Sequence, residues 1–261
     1  VKRLPEASPD WTGVSAPRKS SPLVNETKLL HAATLRRVIE LCPGTKHFEF
    51  EITSARRFDF TAGQFISLTM QFSSKSHTRA YSIASALNRS PRFDLCLNRV
   101  QDGRFSNYLC DLAAGATIEF DGPLGFFTLP RQLERDLVFI ATGTGIAPIR
   151  AMLQQLFRNG TGHQVYLIFG VRYPHTILYR EEFEQLSAGH PNFHFIPTLS
   201  RPPADWTGAS GHVQKQIEAR FGGRSNFEAY ICGLKLMVDD VRHQLKGMGL
   251  DRRQIHYEKY D

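Results

Sequence analysis

The feature that most constrains this chain is a change of rhythm near residue 130. Before it, Phe48–Ile52 and Phe93–Val100 alternate apolar and polar residues, Phe65–Met70 does so less cleanly, and Thr117–Phe120 runs into a Gly-Pro turn. Period-two runs this short and this closely spaced predict the strands of a small antiparallel barrel. Phe105, Leu109 and Leu112 recur at helical spacing, which predicts one helix inside that half. After Pro130 the repeating unit becomes strand, glycine, helix. The strands read as Leu137–Ala141, Val165–Phe169, Phe193–Leu199, Ala229–Cys232 and Ile255–Tyr257, with helices near 147–158, 180–188, 212–220 and 235–247. Strands that alternate with helices need right-handed crossovers, hence a mainly parallel, Rossmann-like sheet covered on both faces. Ligands of such sheets bind beyond the carboxyl ends of the strands.

A length of 261 residues with 41% hydrophobic side chains supports two cores and excludes both disorder and a disulfide-held miniprotein. The expected organisation is an arm over residues 1–25, a barrel over 26–130 and an α/β unit over 131–261. The arm mixes Pro, Ser, Lys and Arg without an apolar core, so it reads as a flexible segment rather than a secretory signal. No apolar run approaches the roughly 20 residues of a membrane span. Cys42, Cys96, Cys110 and Cys232 form no CxxC pair, which argues against zinc or a cysteine-ligated cluster and for free thiols in a reducing, cytoplasmic setting. His190 and His194 make an HxxxH spacing that runs from a Pro-Asn turn into a strand, so the two rings would not share a helix face, and no metal is expected. His31, His47, His77 and His163 read as ordinary surface imidazoles. The formal charge of +7 invites an anionic partner. Against nucleic acid, the basic doublets Arg36-Arg37, Arg56-Arg57 and Arg252-Arg253 are isolated and no nucleic-acid motif accompanies them.

Three segments carry chemistry. ATGTGIAPI at 141–149 lies between an apolar strand and a helix, where glycines bring backbone N–H groups to a phosphate and the helix dipole favours negative charge; a tight turn without ligand is the alternative. RAYS at 79–82 places a cation, a flat aromatic and a hydroxyl within four residues, and GRFS at 103–106 sits at the predicted helix start, a second anion site. YICG at 230–233, followed by Met237, ends a parallel strand where ligands bind, although a small buried hydrophobe is the commoner role of a free cysteine.

Taken in order, these segments resemble the ferredoxin–NADP reductase superfamily of flavoproteins over residues 30–261. RxYS at 79–82 is similar to the flavin motif, GxxSxxL at 103–109 to the flavin pyrophosphate loop, GPLG at 122–125 to the turn ending the barrel, and GTGIAP at 143–148 to the nicotinamide-nucleotide loop. Phe169–Arg172, Ser200-Arg201, Cys232-Gly233 with Met237, and Glu258–Tyr260 also match. The resemblance implies a six-stranded antiparallel FAD barrel followed by an NAD(P) domain. Arg79 would pair the FAD pyrophosphate, Tyr81 would stack on the flavin, Ser82 would bond near flavin N5, and the backbone of Arg104, Phe105 and Ser106 would hold phosphates. Gly143, Thr144, Gly145, Ile146, Ala147 and Pro148 would hold the NAD(P) pyrophosphate, and Arg172 the ribose-phosphate part. Cys232, with Gly233 and Met237, would border the nicotinamide, and Glu258 and Tyr260 would reach back to the flavin. Ser82, Tyr81, Cys232, Glu258 and Tyr260 form the implied catalytic set.

The implied activity is electron transport: hydride passes from NAD(P)H to FAD, then single electrons to a separate acceptor such as ferredoxin, flavodoxin or an oxygenase component. A basic reductase would favour an acidic carrier. A free-flavin or quinone reductase and a non-catalytic flavin module are the alternatives. Ser200-Arg201 resembles a 2′-phosphate site, while Pro202–Trp206 resembles NADH-using reductases, which leaves NADH against NADPH undecided.

Overall fold

A computed structural model describes residues 30–72, 75–87 and 90–260; the expected arm at 1–25 lies outside them. The first half contains β1 (His31–Cys42), β2 (Thr45–Ile52), β3 (Phe65–Phe72), β4 (Lys75–Ser82), β5 (Arg92–Asn98), α1 (Arg104–Asp111) and β6 (Thr117–Leu124). The strands form one antiparallel six-stranded sheet in the order β4-β3-β6-β1-β2-β5. A bridge between Ile83 and Leu95 joins the two ends, curling it towards a barrel.

The second half holds β7 (Asp136–Thr142), α2 (Ile146–Asn159), β8 (Val165–Val171), α3 (Arg180–Gly189), β9 (Phe193–Leu199), β10 (Ala209–Ser210), α4 (Val213–Phe221), β11 (Phe227–Leu234), α5 (Lys235–Gly247) and β12 (Ile255–Tyr260). Its sheet is parallel throughout, ordered β10-β9-β8-β7-β11-β12. The reversal of winding direction lies between β7 and β11, where an open sheet of this kind has its ligand crevice.

Burial explains both halves. Phe48, Phe50, Phe58, Phe93 and Phe120 fill the barrel, and Phe93 touches Phe50, Phe58 and Phe120 at centroid distances of 5.2–5.5 Å. Aromatic contacts at such distances add to the stabilisation from area burial. In the parallel sheet Leu137, Phe139 and Ala141 face α2 and α3, while Val138 and Ile140 face α4 and α5. The core under α2 also takes in Ala62, Ala84, Cys96 and Phe127 from the first half, so the apolar interior is continuous across the junction.

The fold agrees with the expected β and α/β architecture, but β1 and β4 give little alternation signal. β1 is interrupted by register shifts at Leu35/Arg37 and Glu40/Cys42, and an extra residue in one strand destroys period two. β4 is an edge strand whose residues before Ser82 stay largely exposed, so it has no apolar face to display.

Candidate active site

The centre of the site forms where the end of β4 meets the ends of β11 and β12. Parallel pairing sets Cys232 beside Glu258 and Leu234 beside Tyr260. Ser82, the last residue of the edge strand, closes the group from the other half. Its hydroxyl donates to Glu258 Oε1 at 2.7 Å and accepts from the Tyr260 hydroxyl at 2.7 Å. The Cys232 thiol, fully buried, hydrogen-bonds with the same Tyr260 hydroxyl.

Burial sets the proton affinities here. It raises the Glu258 carboxyl above its ordinary range, against the Ser82 hydrogen bond, which pulls the other way. Burial also pushes the Cys232 thiol well up, helped by the Glu258 charge, and the Tyr260 hydroxyl well up, helped by Cys232 and Glu258. Cys232 is therefore neutral at pH 7 and is no nucleophile. Tyr81, packed against the barrel core, has its phenol raised to about 12 by burial, against the lowering pull of Arg79.

The residues expected to hold phosphates occupy two helix starts. α1 begins at Gly103 with no side-chain cap and no acidic residue in its first turn, which suits an anion at its positive end. The Ser106 hydroxyl is committed inside that turn, accepting from Val100 N–H and donating to the Gly103 carbonyl, so Ser106 shapes the loop. A side chain on Gly103 would come within 2.5 Å of that hydroxyl. Arg79, exposed, donates to the Thr78 carbonyl and lies 5.9 Å from the Phe105 ring centre. Phe105 itself is buried in the barrel core.

The second start follows β7. Gly143, at φ 53°, opens a short 3-10 turn through Gly145, and α2 follows without a side-chain cap. A Cβ on Gly145 would fall 2.4 Å from the Cys232 carbonyl oxygen, so only glycine lets this loop lie against the Cys232-Gly233 turn. Ile146, Ala147 and Pro148 are buried and anchor the start of α2, and Thr144 reaches Asn98 of β5 at 3.4 Å. Beside Gly233 and Met237, the Thr142 hydroxyl is buried without a hydrogen-bond partner, a polar atom that a bound nucleotide could satisfy. The close-packed glycine cradle and this orphaned hydroxyl fit a dinucleotide.

Further out, Arg172 and Arg201 are exposed, and Arg201 Nη1 lies 3.4 Å from the Tyr173 hydroxyl. Tyr173 stacks on His175 with centroids 5.6 Å apart and planes within 6°. Ser200 joins them through its N–H to the Val171 carbonyl. Neither Arg172 nor Arg201 has a carboxylate partner among the described residues.

Residues 32–129 match the oxidoreductase FAD-binding domain family, and residues 139–243 the oxidoreductase NAD-binding domain family. Ferredoxin–NADP reductase B of Sorangium cellulosum is 39% identical over 88% of this chain and 97% of its own length. The chain belongs to the ferredoxin–NADP reductase superfamily. Phenol hydroxylase P5 protein of Acinetobacter pittii is 32% identical over 88% of this chain, which spans 65% of that protein. Among solved structures, a ferredoxin NADP+ reductase from Neisseria gonorrhoeae with bound FAD and NADP aligns at TM-score 0.76 and 27% identity, covering 90% of this chain and 99% of that one. As a member of the superfamily, the chain is an oxidoreductase that uses FAD and NAD(P).

In this reductase Ser82, Cys232, Glu258 and Tyr260 converge, Tyr81 directly precedes Ser82 on β4, and the phosphate candidates occupy two loops. Tyr173 and His175 escaped sequence reasoning because they lie one strand away from Arg201; the only cue was their place directly after the Phe169–Arg172 match. His47, expected on the surface, is buried, its Nδ1 3.0 Å from the Tyr179 hydroxyl, because its strand places it at the junction with α3. The expectation of a surface imidazole is corrected accordingly.

Proposed function

We propose that this reductase oxidises NADPH and feeds a separate, acidic one-electron carrier in the cytoplasm, with FAD held by residues 26–130 and the nucleotide by 131–261. The observation that carries this is the hydrogen-bonded cluster of Ser82 with Glu258, Tyr260 and Cys232, because it brings the flavin-side strand and the nicotinamide-side strands to one point. Bound FAD supplies hydride acceptance from nicotinamide and release of electrons singly.

The chain's residues do the rest. Tyr81 offers a flat face, Ser82 a hydroxyl beside the reacting ring, and Arg79 with the start of α1 the phosphate contacts. Gly143–Pro148 and the dipole of α2 take the nucleotide pyrophosphate. Glu258 holds a proton-accepting group against Ser82, and Tyr260, lying between Cys232 and Ser82, would give way to nicotinamide.

The choice of NADPH rests on Arg172, Arg201 and the Tyr173–His175 stack, gathered on one surface without acidic partners among the described residues. Guanidinium groups read a 2′-phosphate by charge-assisted, bidentate hydrogen bonds, while an adenine can lie on a tyrosine. The formal charge of +7 favours an acidic carrier of the kind that a ferredoxin–NADP reductase serves. Four free cysteines suit a reducing compartment.

Steady-state reduction of ferredoxin or cytochrome c tests the proposal. A lost Arg–phosphate interaction is worth about 2 kcal/mol, or roughly thirtyfold. NADPH should therefore exceed NADH in kcat/KM by about that factor, and Arg201→Ala should remove most of the advantage without slowing NADH. Parity of the two nucleotides in the unaltered protein would overturn the choice of NADPH.

A further inference from the structure

The two halves meet along one face of α2, the helix that starts at the nucleotide loop. Arg150, Gln154, Gln155 and Arg158 share that face and all reach across. Arg150 Nη1 donates to the Ala84 carbonyl at 2.8 Å, and Arg158 Nη1 to the Leu87 carbonyl at 2.5 Å. Gln154 Oε1 accepts from Ala86 N–H at 3.1 Å, and Gln155 Oε1 from Ala62 N–H at 3.4 Å. Ala84, Ala86 and Leu87 belong to the segment that directly continues β4 beyond Tyr81 and Ser82.

Arg150 is the hub of this seam, with its side chain only 12% exposed. Its Nε donates to Glu182 Oε2 at 2.7 Å, Nη1 lies 3.4 Å from Asp94 Oδ2, and the guanidinium sits 4.4 Å over the Tyr179 ring. Tyr179 precedes α3 at φ 56°, a left-handed conformation that an aromatic residue keeps only where its surroundings hold it. A planar fork with five donors can serve a carbonyl, two carboxylates and an aromatic face together; an ammonium cannot. Apolar contacts can slide, whereas this set of directional bonds fixes one position of α2 against the flavin strand. Four residues before Arg150, α2 begins beside Gly145, which is packed on the Cys232 carbonyl.

We propose that Arg150 is a positioning residue for hydride transfer, tying the helix that carries the nucleotide loop to the strand that carries Tyr81 and Ser82. The inference rests on the oxidoreductase reading above. A misplacement of about 1 Å between reacting rings costs on the order of 100-fold in rate, so a seam that sets their separation acts on the chemical step rather than on binding.

The test compares the holoenzyme with Arg150→Met, which keeps the stem and removes the fork. The limiting rate of flavin reduction by NADPH, measured by stopped flow, should fall at least tenfold, with FAD content and NADPH affinity changed less than threefold. The long-wavelength charge-transfer absorbance of the flavin–nicotinamide pair should weaken, and the amides of residues 84–87 should exchange hydrogen at least tenfold faster. A folded, FAD-loaded Arg150→Met protein with wild-type limiting rate and absorbance overturns the proposal, as does a loss confined to NADPH affinity. If that variant does not hold FAD, the double variant Gln154→Met/Arg158→Met decides: a limiting rate at least threefold lower with faster exchange at 84–87 supports the seam, and unchanged values overturn it. Failure of the unaltered holoenzyme to be reduced by either nucleotide would instead sink the oxidoreductase reading, and the exchange comparison would still judge the seam.

Discussion

The junction makes a prediction about acid stability in which two groups oppose each other. Asp94 and His47 face one another at 3.6 Å, surrounded by Arg150, Glu182, Glu49, Arg37, Tyr179 and Cys96. Burial lifts the Asp94 carboxyl from 3.8 to about 6, against the opposing pull of Arg150. Burial, reinforced by Arg150 and Arg37, lowers the His47 imidazole from 6.5 to about 4. The signs follow from linkage. A carboxyl raised in the folded state contributes stability that is complete below pH 3.8 and is lost as pH rises through about 6. An imidazole lowered in the folded state contributes above pH 6.5 and loses that contribution as pH falls through about 4. At 1.36 kcal/mol per pH unit, each is worth about 2.5 kcal/mol between pH 7 and 4, and the two nearly cancel. Substitution should expose them singly. Relative to the unaltered protein, Asp94→Asn should lose about 2.5 kcal/mol on acidification from pH 7 to 4, and His47→Gln should gain about the same. Urea unfolding followed by circular dichroism at pH 7, 6, 5 and 4 measures both differences. Differences that stay constant within about 0.5 kcal/mol across that range would refute the assignment of these proton affinities to the junction.

Two further perturbations address the site. Ser82→Ala removes the hydrogen bond that holds the Glu258 carboxyl down, so the acid limb of flavin reduction should move to higher pH; an unmoved limb in stopped-flow profiles would show that Glu258 does not govern it. Gly145→Ala drives a methyl into the backbone carbonyl of Cys232, an overpacking worth about 2 kcal/mol. The melting temperature should fall by roughly 4–8 °C and the KM for NADPH should rise, and calorimetry showing no fall would contradict the close packing.

Much of this architecture was legible because burial leaves a period in the sequence. The five long strands of the parallel sheet are apolar runs with helices between them, and they were placed to within a few residues. What escaped has physical causes. β1 lost its period to two bulges, and β4, as an exposed edge, never had one. The expected site residues lie in motifs whose glycines answer to close contacts, as at Gly145, so the demand for a small residue was itself visible. The junction was not: His47, Asp94, Arg150, Tyr179 and Glu182 come from distant segments, and each alone reads as an ordinary polar residue. Their partnership exists only after folding, when burial turns five unremarkable side chains into one electrostatic unit.

The electrostatics of the centre also restrict its chemistry. A serine and a cysteine within one polar cluster invite a nucleophilic reading, and the proton affinities argue against it. The Ser82 proton points to a carboxylate rather than to an imidazole. The Cys232 thiol is held neutral by burial and by the Glu258 charge, the reverse of the electropositive setting that generates a thiolate. A thiolate would need a cation beside it, and around Cys232 the cluster offers a carboxyl and a phenol instead. What remains is a set of hydrogen-bond donors and one acceptor where the strand of Ser82 meets the strands of Cys232 and Glu258, an arrangement that can orient planar rings and hold a proton near them without forming a bond to either. Hydride transfer between bound cofactors is the reaction that asks for no more than that.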